Sequence, residues 1–213
     1  MSSYKEVDLE NWKRKDIYIY FKNYDSPYFN LTANIDVTTL YHYTKANKLS
    51  FFLSCLFYST LAANKIEEFR YRIQNNKVIC YDTIDPGCTI FMEDETFRYC
   101  YFNYHNEFAA FHAEGLQVIE QIKADPAFDP KSYKDNIIYY SVLPWLSFTS
   151  LEHPKRFGSA ADTIPRIVFG KYFINNDRRL MPVSVQVHHA IMDGYHASKY
   201  YQLFQQLIAD VKI

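Results

Sequence analysis

Apolar and polar positions along the chain switch between a period of two and a period of three to four, and the switches mark its elements. Ile17-Tyr18-Ile19-Tyr20-Phe21 is a short run of β-branched and aromatic types, and Asn30 to Val37 alternates polar with apolar, so both predict strands. Between Thr38 and Ala63, residues Leu40, Tyr43, Leu49, Leu53, Leu56 and Leu61 recur at broadly helical spacing with a break near Asn47-Lys48. Two helices are expected there. Strand character resumes at Phe69 to Ile73, Lys77 to Tyr81 and Thr89 to Met92, with Asn75-Asn76 and Asp85-Pro86-Gly87 as turn signals.

A long helix is predicted from Glu107 to Lys123, where Phe108, Phe111, Leu116, Ile119 and Ile122 form one apolar stripe and Asp125-Pro126 supplies the stop. The last third reads as strands at Asn136 to Leu143, Arg166 to Ile174 and Val183 to His188, then a helix from Tyr195 to Val211 carrying Tyr200, Phe204, Leu207 and Val211. Helices and strands interspersed in this way predict α/β layers around a large mixed sheet. Glycine is scarce, at 5 residues, and there is neither a repeat nor a Pro/Gly/Ser-rich linker. A single domain over residues 1–213 is therefore expected.

Composition narrows the partners. The 23 basic residues are balanced by 24 acidic ones, so no excess of positive charge exists to hold a nucleic acid backbone. Cys55, Cys80, Cys88 and Cys100 show no Cys-x-x-Cys spacing, which fits reduced core thiols of a cytoplasmic protein. The polar start, Met1 to Asp16, lacks the pattern of a secretory signal, and the longest apolar run, Phe51 to Phe57, is too short to span a bilayer. A soluble, intracellular protein with no membrane partner is the expectation.

Candidate chemistry concentrates where the alternating strand Val183-Ser184-Val185-Gln186-Val187 runs into His188-His189-Ala190-Ile191-Met192-Asp193-Gly194. A strand end fixes an imidazole while the following loop admits substrate. Adjacent residues on an extended segment point to opposite faces, so only one of the two histidines easily faces a given cleft. A histidine near its ordinary pKa of about 6.5 can take a proton from a hydroxyl as that oxygen attacks a thioester, help worth roughly 10²–10⁴ in rate.

His-His-x-x-x-Asp-Gly after a strand resembles the signature of chloramphenicol acetyltransferases and of related CoA-dependent and condensation enzymes. The likeness to the chloramphenicol acetyltransferase family extends through Asn11-Trp12-Lys13-Arg14, Ile35-Asp36-Val37-Thr38-Thr39-Leu40, Asp82-Thr83-Ile84-Asp85-Pro86, Ser141-Val142-Leu143-Pro144-Trp145 and Met181 to His189. It implies a two-layer α/β sandwich with helices on one face of a large mixed sheet. It implies an O-acetyltransferase of the antibiotic-resistance type, using acetyl-CoA as co-substrate and no metal, with a small-molecule hydroxyl acceptor such as chloramphenicol and no covalent acyl-enzyme. It further implies a homotrimer whose active sites lie between subunits.

Carried over position by position, the resemblance makes His189 the general base and Ser141 the donor to the oxyanion. Asp193 and Arg14 become an ion pair that holds the site's geometry, and His188 is left with packing or support. As substrate-binding positions, the resemblance places Tyr172 and Phe21 near the acceptor and Val168 near the tetrahedral intermediate, and the last two depart from the family pattern. Phe21 stands where a substrate-contacting tyrosine is usual, and Val168 replaces a threonine and so removes a hydroxyl.

Blander explanations compete with each of these roles. A histidine pair at a strand end, taken alone, is more often structural, and Ser141 without its Pro144-Trp145 context reads as an ordinary strand serine. His188, His189, Asp193 and His196 lie close enough to suggest a metal site, yet they lack a helical His-x-x-x-His spacing. His42, His105, His112 and His153 match no ligand or triad spacing. The competing functional hypothesis, motivated by Val168 and Phe21, is a small-molecule or CoA-binding homologue with weak or no catalysis. A third possibility is an acetyltransferase for a different hydroxyl acceptor.

Overall fold

Val183, Val185 and Val187 enter the main core while Ser184, Gln186 and His188 alternate with them, so this strand gives its sheet one apolar and one polar side. The computed structural model describes residues 3–124, 135–154 and 162–211. In chain order the elements are β1 (Tyr4–Glu6), α1 (Lys15–Phe21), β2 (Tyr28–Asp36), α2 (Thr38–Ala46), α3 (Phe51–Asn64), a 3₁₀ turn (Glu67–Arg70), β3 (Tyr71–Gln74) and β4 (Lys77–Tyr81). They continue with β5 (Asp85–Phe91), β6 (Phe97–Tyr101), α4 (Phe108–Ala124), β7 (Ile137–Leu143), β8 (Arg166–Gly170), β9 (Phe173–Asn175), β10 (Arg178–His188) and α5 (Gly194–Ala209).

The large sheet runs β2-β10-β8-β7-β5-β6, with β9 also paired to β10. Strand β7 pairs parallel with both β5 and β8, and the remaining pairs are antiparallel, so the sheet is mixed as expected. Helices α2 to α5 bury their apolar residues against its apolar face, giving the two-layer α/β arrangement. A small sheet, β1-β4-β3, stands beside it. Its residues Tyr71 and Val78 share a second core with Tyr18 of α1 and with Ala190 and Ile191.

Four expectations from the sequence change. Ile17 to Phe21 is helical, not extended: only Tyr18 is buried, Ile19 and Tyr20 are exposed, and α1 pairs with no strand. Its β-type composition yields to tertiary context, in which Tyr18 plugs the small core one turn after Arg14. Asp85-Pro86-Gly87 opens β5 instead of turning. Pro86 is tolerated near the strand start, and a Cβ on Gly87 would lie 3.1 Å from Tyr101, so the glycine answers to a close approach.

Arg166 to Ile174 divides into β8 and β9, because the chain bends at Lys171, whose N–H donates to the Leu146 carbonyl (2.9 Å). Gly170 sits at that bend, where a Cβ would come within 2.7 Å of Pro182. Phe69 and Arg70, expected in a strand, belong to the 3₁₀ turn. Strands β1 and β6 carried no prediction, and the Asp125-Pro126 stop lies outside the described residues.

Arg72 ties the small sheet to the large one. Its side chain is fully buried and donates from Nε to the Asp135 carbonyl (2.7 Å), from Nη1 to those of Phe69 (2.9 Å) and Tyr71 (2.6 Å), and from Nη2 to that of Ile137 (2.6 Å). Burial pushes the guanidinium down to about 10, and it stays charged at neutral pH. Arg72→Met leaves those carbonyls without their donors and is expected to destabilise the fold by about 3 kcal/mol, read as a lower urea midpoint. An unchanged midpoint would mean that the two sheets are held together by apolar packing alone.

Candidate active site

The loop after β10 is held from below by three apolar anchors. Ala190 and Ile191 enter the small core beside Tyr18 and Tyr71, and Met192 enters the main core. Both histidines therefore stand at a fixed strand end, and their surroundings differ. His188 is 2% exposed, accepts from the Ala190 N–H through Nδ1 (3.2 Å), and meets the Tyr28 ring edge-on.

His189 sits between the rings of Phe21 and Phe29. The Phe21 ring stacks on the imidazole at 4.2 Å between centroids with 14° between planes, and Phe29 lies at 4.9 Å. The His189 Nδ1 is 3.1 Å from the Met192 carbonyl. A carbonyl can only accept, so Nδ1 carries the proton and Nε2 keeps its lone pair. This is the tautomer a general base needs, held by main chain on one edge and by aromatic faces above.

Arg14 closes the loop from the other side. Its Nη1 donates to Asp193 Oδ2 at 2.6 Å and its Nη2 to the His189 carbonyl at 3.3 Å. The local sequence explains its placement, since Trp12 packs at 5.4 Å against Tyr71 and at 6.0 Å against Tyr18, flanking the arginine within the small core. Asp193 is also the N-cap of α5, accepting from the Tyr195 N–H at 3.0 Å. Burial acts to raise the Asp193 carboxyl, but the Arg14 hydrogen bond, the nearby His196 and the Arg14 charge outweigh it and hold the group below its ordinary value.

Ser141 lies elsewhere in the chain. It pairs with Val168 on β8, which pairs in turn with Ser184 on β10, so the three occupy one row of the sheet. Two strand spacings across and five residues along separate Ser141 from His189, on the order of 19 Å. Ser141 opens instead on a groove of about 710 Å³ that Tyr99, Tyr139, Trp145, His153 and Arg166 also line. Val168 is 1% exposed, so no side-chain hydroxyl stands beside Ser141 at that register position.

Tyr172 borders a second cavity, of about 380 Å³, with Phe51, Val142, Lys171 and Met181. Its ring meets Tyr41 edge-on at 5.5 Å. Thus Arg14, Asp193, His189 and Phe21 gather in one place, while Ser141 with Val168 and Tyr172 occupy two others. Phe29 and the Met192 carbonyl were not expected at the site; the position of Met192 inside the histidine motif was the only sequence signal for either. Among the described residues no group of three His, Cys, Asp or Glu side chains gathers as metal ligands do.

Burial pushes the His188 imidazole down to about 4, with the neighbouring His189 opposing its charge and Asp162 favouring it. Between that value and about 6.5 the unfolded chain binds a proton that the folded chain refuses. Stability from the neutral ring is therefore complete above about pH 6.5 and is lost as pH falls toward 4, a change on the order of 3 kcal/mol. His188→Asn should flatten the fall in urea stability between pH 7 and pH 4.5 compared with the parent. Parallel pH curves for the two proteins would show that His188 titrates normally.

The chloramphenicol acetyltransferase family model matches residues 2–205. A chloramphenicol acetyltransferase of Proteus mirabilis is 33% identical over 205 residues, covering 94% of this chain and 92% of its own length. A solved chloramphenicol acetyltransferase structure superimposes with a TM-score of 0.90 at 32% identity, covering 97% of this chain and 100% of the other. A dihydrolipoamide acetyltransferase of Azotobacter vinelandii shares the fold, with a TM-score of 0.70 at 15% identity over 86% of this chain and 82% of its own. By the family match and the near-complete coverage of its relatives, this chain belongs to the chloramphenicol acetyltransferase family.

Proposed function

We propose that the protein transfers the acetyl group of acetyl-CoA to a hydroxyl of chloramphenicol, with His189 as general base and no covalent acyl-enzyme. The observation that carries this reading is the fixed His189 tautomer, with Nδ1–H on the Met192 carbonyl and the Nε2 lone pair free. In the reaction Nε2 takes the proton of the acceptor hydroxyl as its oxygen bonds to the thioester carbon. The carbonyl oxygen becomes an oxyanion and accepts a hydrogen bond from Ser141. Collapse of the tetrahedral adduct breaks the carbon–sulfur bond, and the departing CoA sulfur receives the proton from Nε2.

Arg14 and Asp193 hold the loop so that Nε2 meets the acceptor in register, and their loss acts through misplacement. Since His189 and Ser141 of one chain stand far apart, the working site pairs His189 of one copy with Ser141 of another. This supports a homotrimer with sites between subunits. The groove beside Ser141 suits the acceptor, and the apolar cavity bounded by Val142 and Tyr172 on the other side of the β7 end suits the acyl donor. Lys171 at that cavity offers a cation to CoA phosphates. Four free cysteines fit a cytoplasmic setting.

A second reading keeps the chemistry and changes the acceptor. Arg166 and His153 reach the groove beside Ser141, and the Arg166–Asp162 ion pair gives it a polar wall. A more polar alcohol than chloramphenicol would then be turned over faster.

Released thiol is the readout for both. With acetyl-CoA and chloramphenicol, His189→Ala is expected to cut kcat by 10²–10⁴ or more, and full activity in that variant would exclude His189 as the base. Ser141→Ala should lower kcat by roughly 10²-fold with little change in KM. A panel of hydroxyl acceptors separates the readings. Binding of acetyl-CoA by calorimetry with no thiol release from any acceptor would favour a binding protein, for which the Val168 position is the motive.

A further inference from the structure

Asp193 already has the partners that a helix cap and the Arg14 ion pair require, yet a further side chain, itself held by a distant carboxylate, reaches it. His196, one turn into α5, places Nδ1 at 2.9 Å from Asp193 Oδ1 and at 3.3 Å from the Asp193 N–H. Its Nε2 lies 3.2 Å from Glu68 Oε1, on the 3₁₀ turn that precedes β3. Both side chains are largely covered, at 12% exposure for His196 and 22% for Glu68. A capping box needs only a side chain at this third helical position that reaches back to the cap. A carboxylate brought from a distant segment to the far side of the ring serves no capping purpose.

We propose that His196, anchored by Glu68, is a positioning residue for the His189 base and acts on it through Asp193. A neutral His196 donates from Nε2 to Glu68 and accepts the Asp193 N–H on Nδ1; a protonated one donates to both carboxylates. The protonated ring holds the Asp193 carboxylate beside Arg14 directly, and the neutral ring holds it through the Asp193 main chain. The Asp193 carboxylate is thereby gripped on both oxygens, by Arg14 on Oδ2 and by the α5 terminus on Oδ1, where a protonated His196 adds a second donor. Arg14, so fixed, holds the His189 carbonyl, and the adjoining loop holds the Met192 carbonyl that selects the His189 tautomer. The proposal rests on the reading of His189 as base.

The test uses the full chain in three forms: the parent, His196→Ala and His196→Gln. Glutamine restores the two hydrogen bonds of the neutral ring, because its carbonyl can accept the Asp193 N–H while its amide donates to Glu68. With acetyl-CoA and chloramphenicol, His196→Ala should lose about tenfold in kcat with both KM values within about twofold, and His196→Gln should stay within about threefold of the parent. Glu68→Gln, which removes charge and keeps a hydrogen bond, should fall between them. In ¹⁵N spectra of histidine-labelled protein, the His189 Nδ1–H tautomer should be single in the parent and mixed in His196→Ala.

The proposal is overturned if His196→Ala keeps the parent's kcat, or if alanine and glutamine lose it equally while the His189 signals stay unchanged. The spectrum reads His189 geometry without turnover. Activity surviving in His189→Ala would thus refute the base assignment separately, leaving the tautomer result to judge the coupling.

Discussion

Strand β10 is a ruler that fixes the direction and the reach of the proposed base, His189, and its distance from Ser141. Its period of two sends Val183, Val185 and Val187 into the core and leaves Ser184, Gln186 and His188 on the other face, so the core sets the register that delivers His189 to the loop. The same register places Ser141 in line with Ser184 through Val168, two strands away and well short of the strand end. Backbone geometry then forbids His189 and Ser141 of one chain from touching a common substrate atom. A site that uses both, as proposed, must be completed by a second copy: one end of each chain presents the proposed base His189, and a different groove presents Ser141 as the proposed oxyanion donor.

What fixes the His189 end is a small core distinct from the main one. Trp12, Tyr18 and Tyr71 pack with Ala190 and Ile191, and this packing both forms the short helix α1 and carries Arg14 to Asp193. The ion pair is partly shielded, with side-chain exposures of 10% for Arg14 and 30% for Asp193, and the arginine spends its second nitrogen on the His189 carbonyl. Charge-assisted bonds of this kind contribute about 1.5–3 kcal/mol each when shielded, less where solvent reaches them. Packing therefore sets where the loop is, and the polar contacts set how it is turned. Phe21 belongs to the same device, since its ring lies flat on His189 and restricts the imidazole from above.

Much of this was legible in the residues. The alternation in β10 and the helical stripes of α4 and α5 follow from periodicity, because each buries its apolar side against the main core, whereas α3 is covered nearly all round and β4 divides Val78 and Ile79 between the two cores. The motif pointed to His189 and Asp193 and the family resemblance to Arg14, and the geometry brings those three together. Helix α1 stands where a strand is expected because its aromatic and β-branched residues face solvent and the small core, which a local pattern cannot distinguish from a sheet. The break between β8 and β9 depends on crowding at Gly170 by Pro182 and Leu146, residues distant in sequence. Glu68 gave no signal at all, since its only distinguishing feature is the imidazole that tertiary structure places beside it.

The claim that the site is shared between copies is tested most directly by mixing two defective chains. His189→Ala and Ser141→Ala proteins, co-refolded in equal amounts, should regain about a quarter of the parent's thiol release with acetyl-CoA and chloramphenicol, because random assembly around a closed ring pairs an intact His189 with an intact Ser141 at one interface in four. A mixture no more active than the Ser141→Ala protein alone would place both residues' work within a single chain and contradict the account.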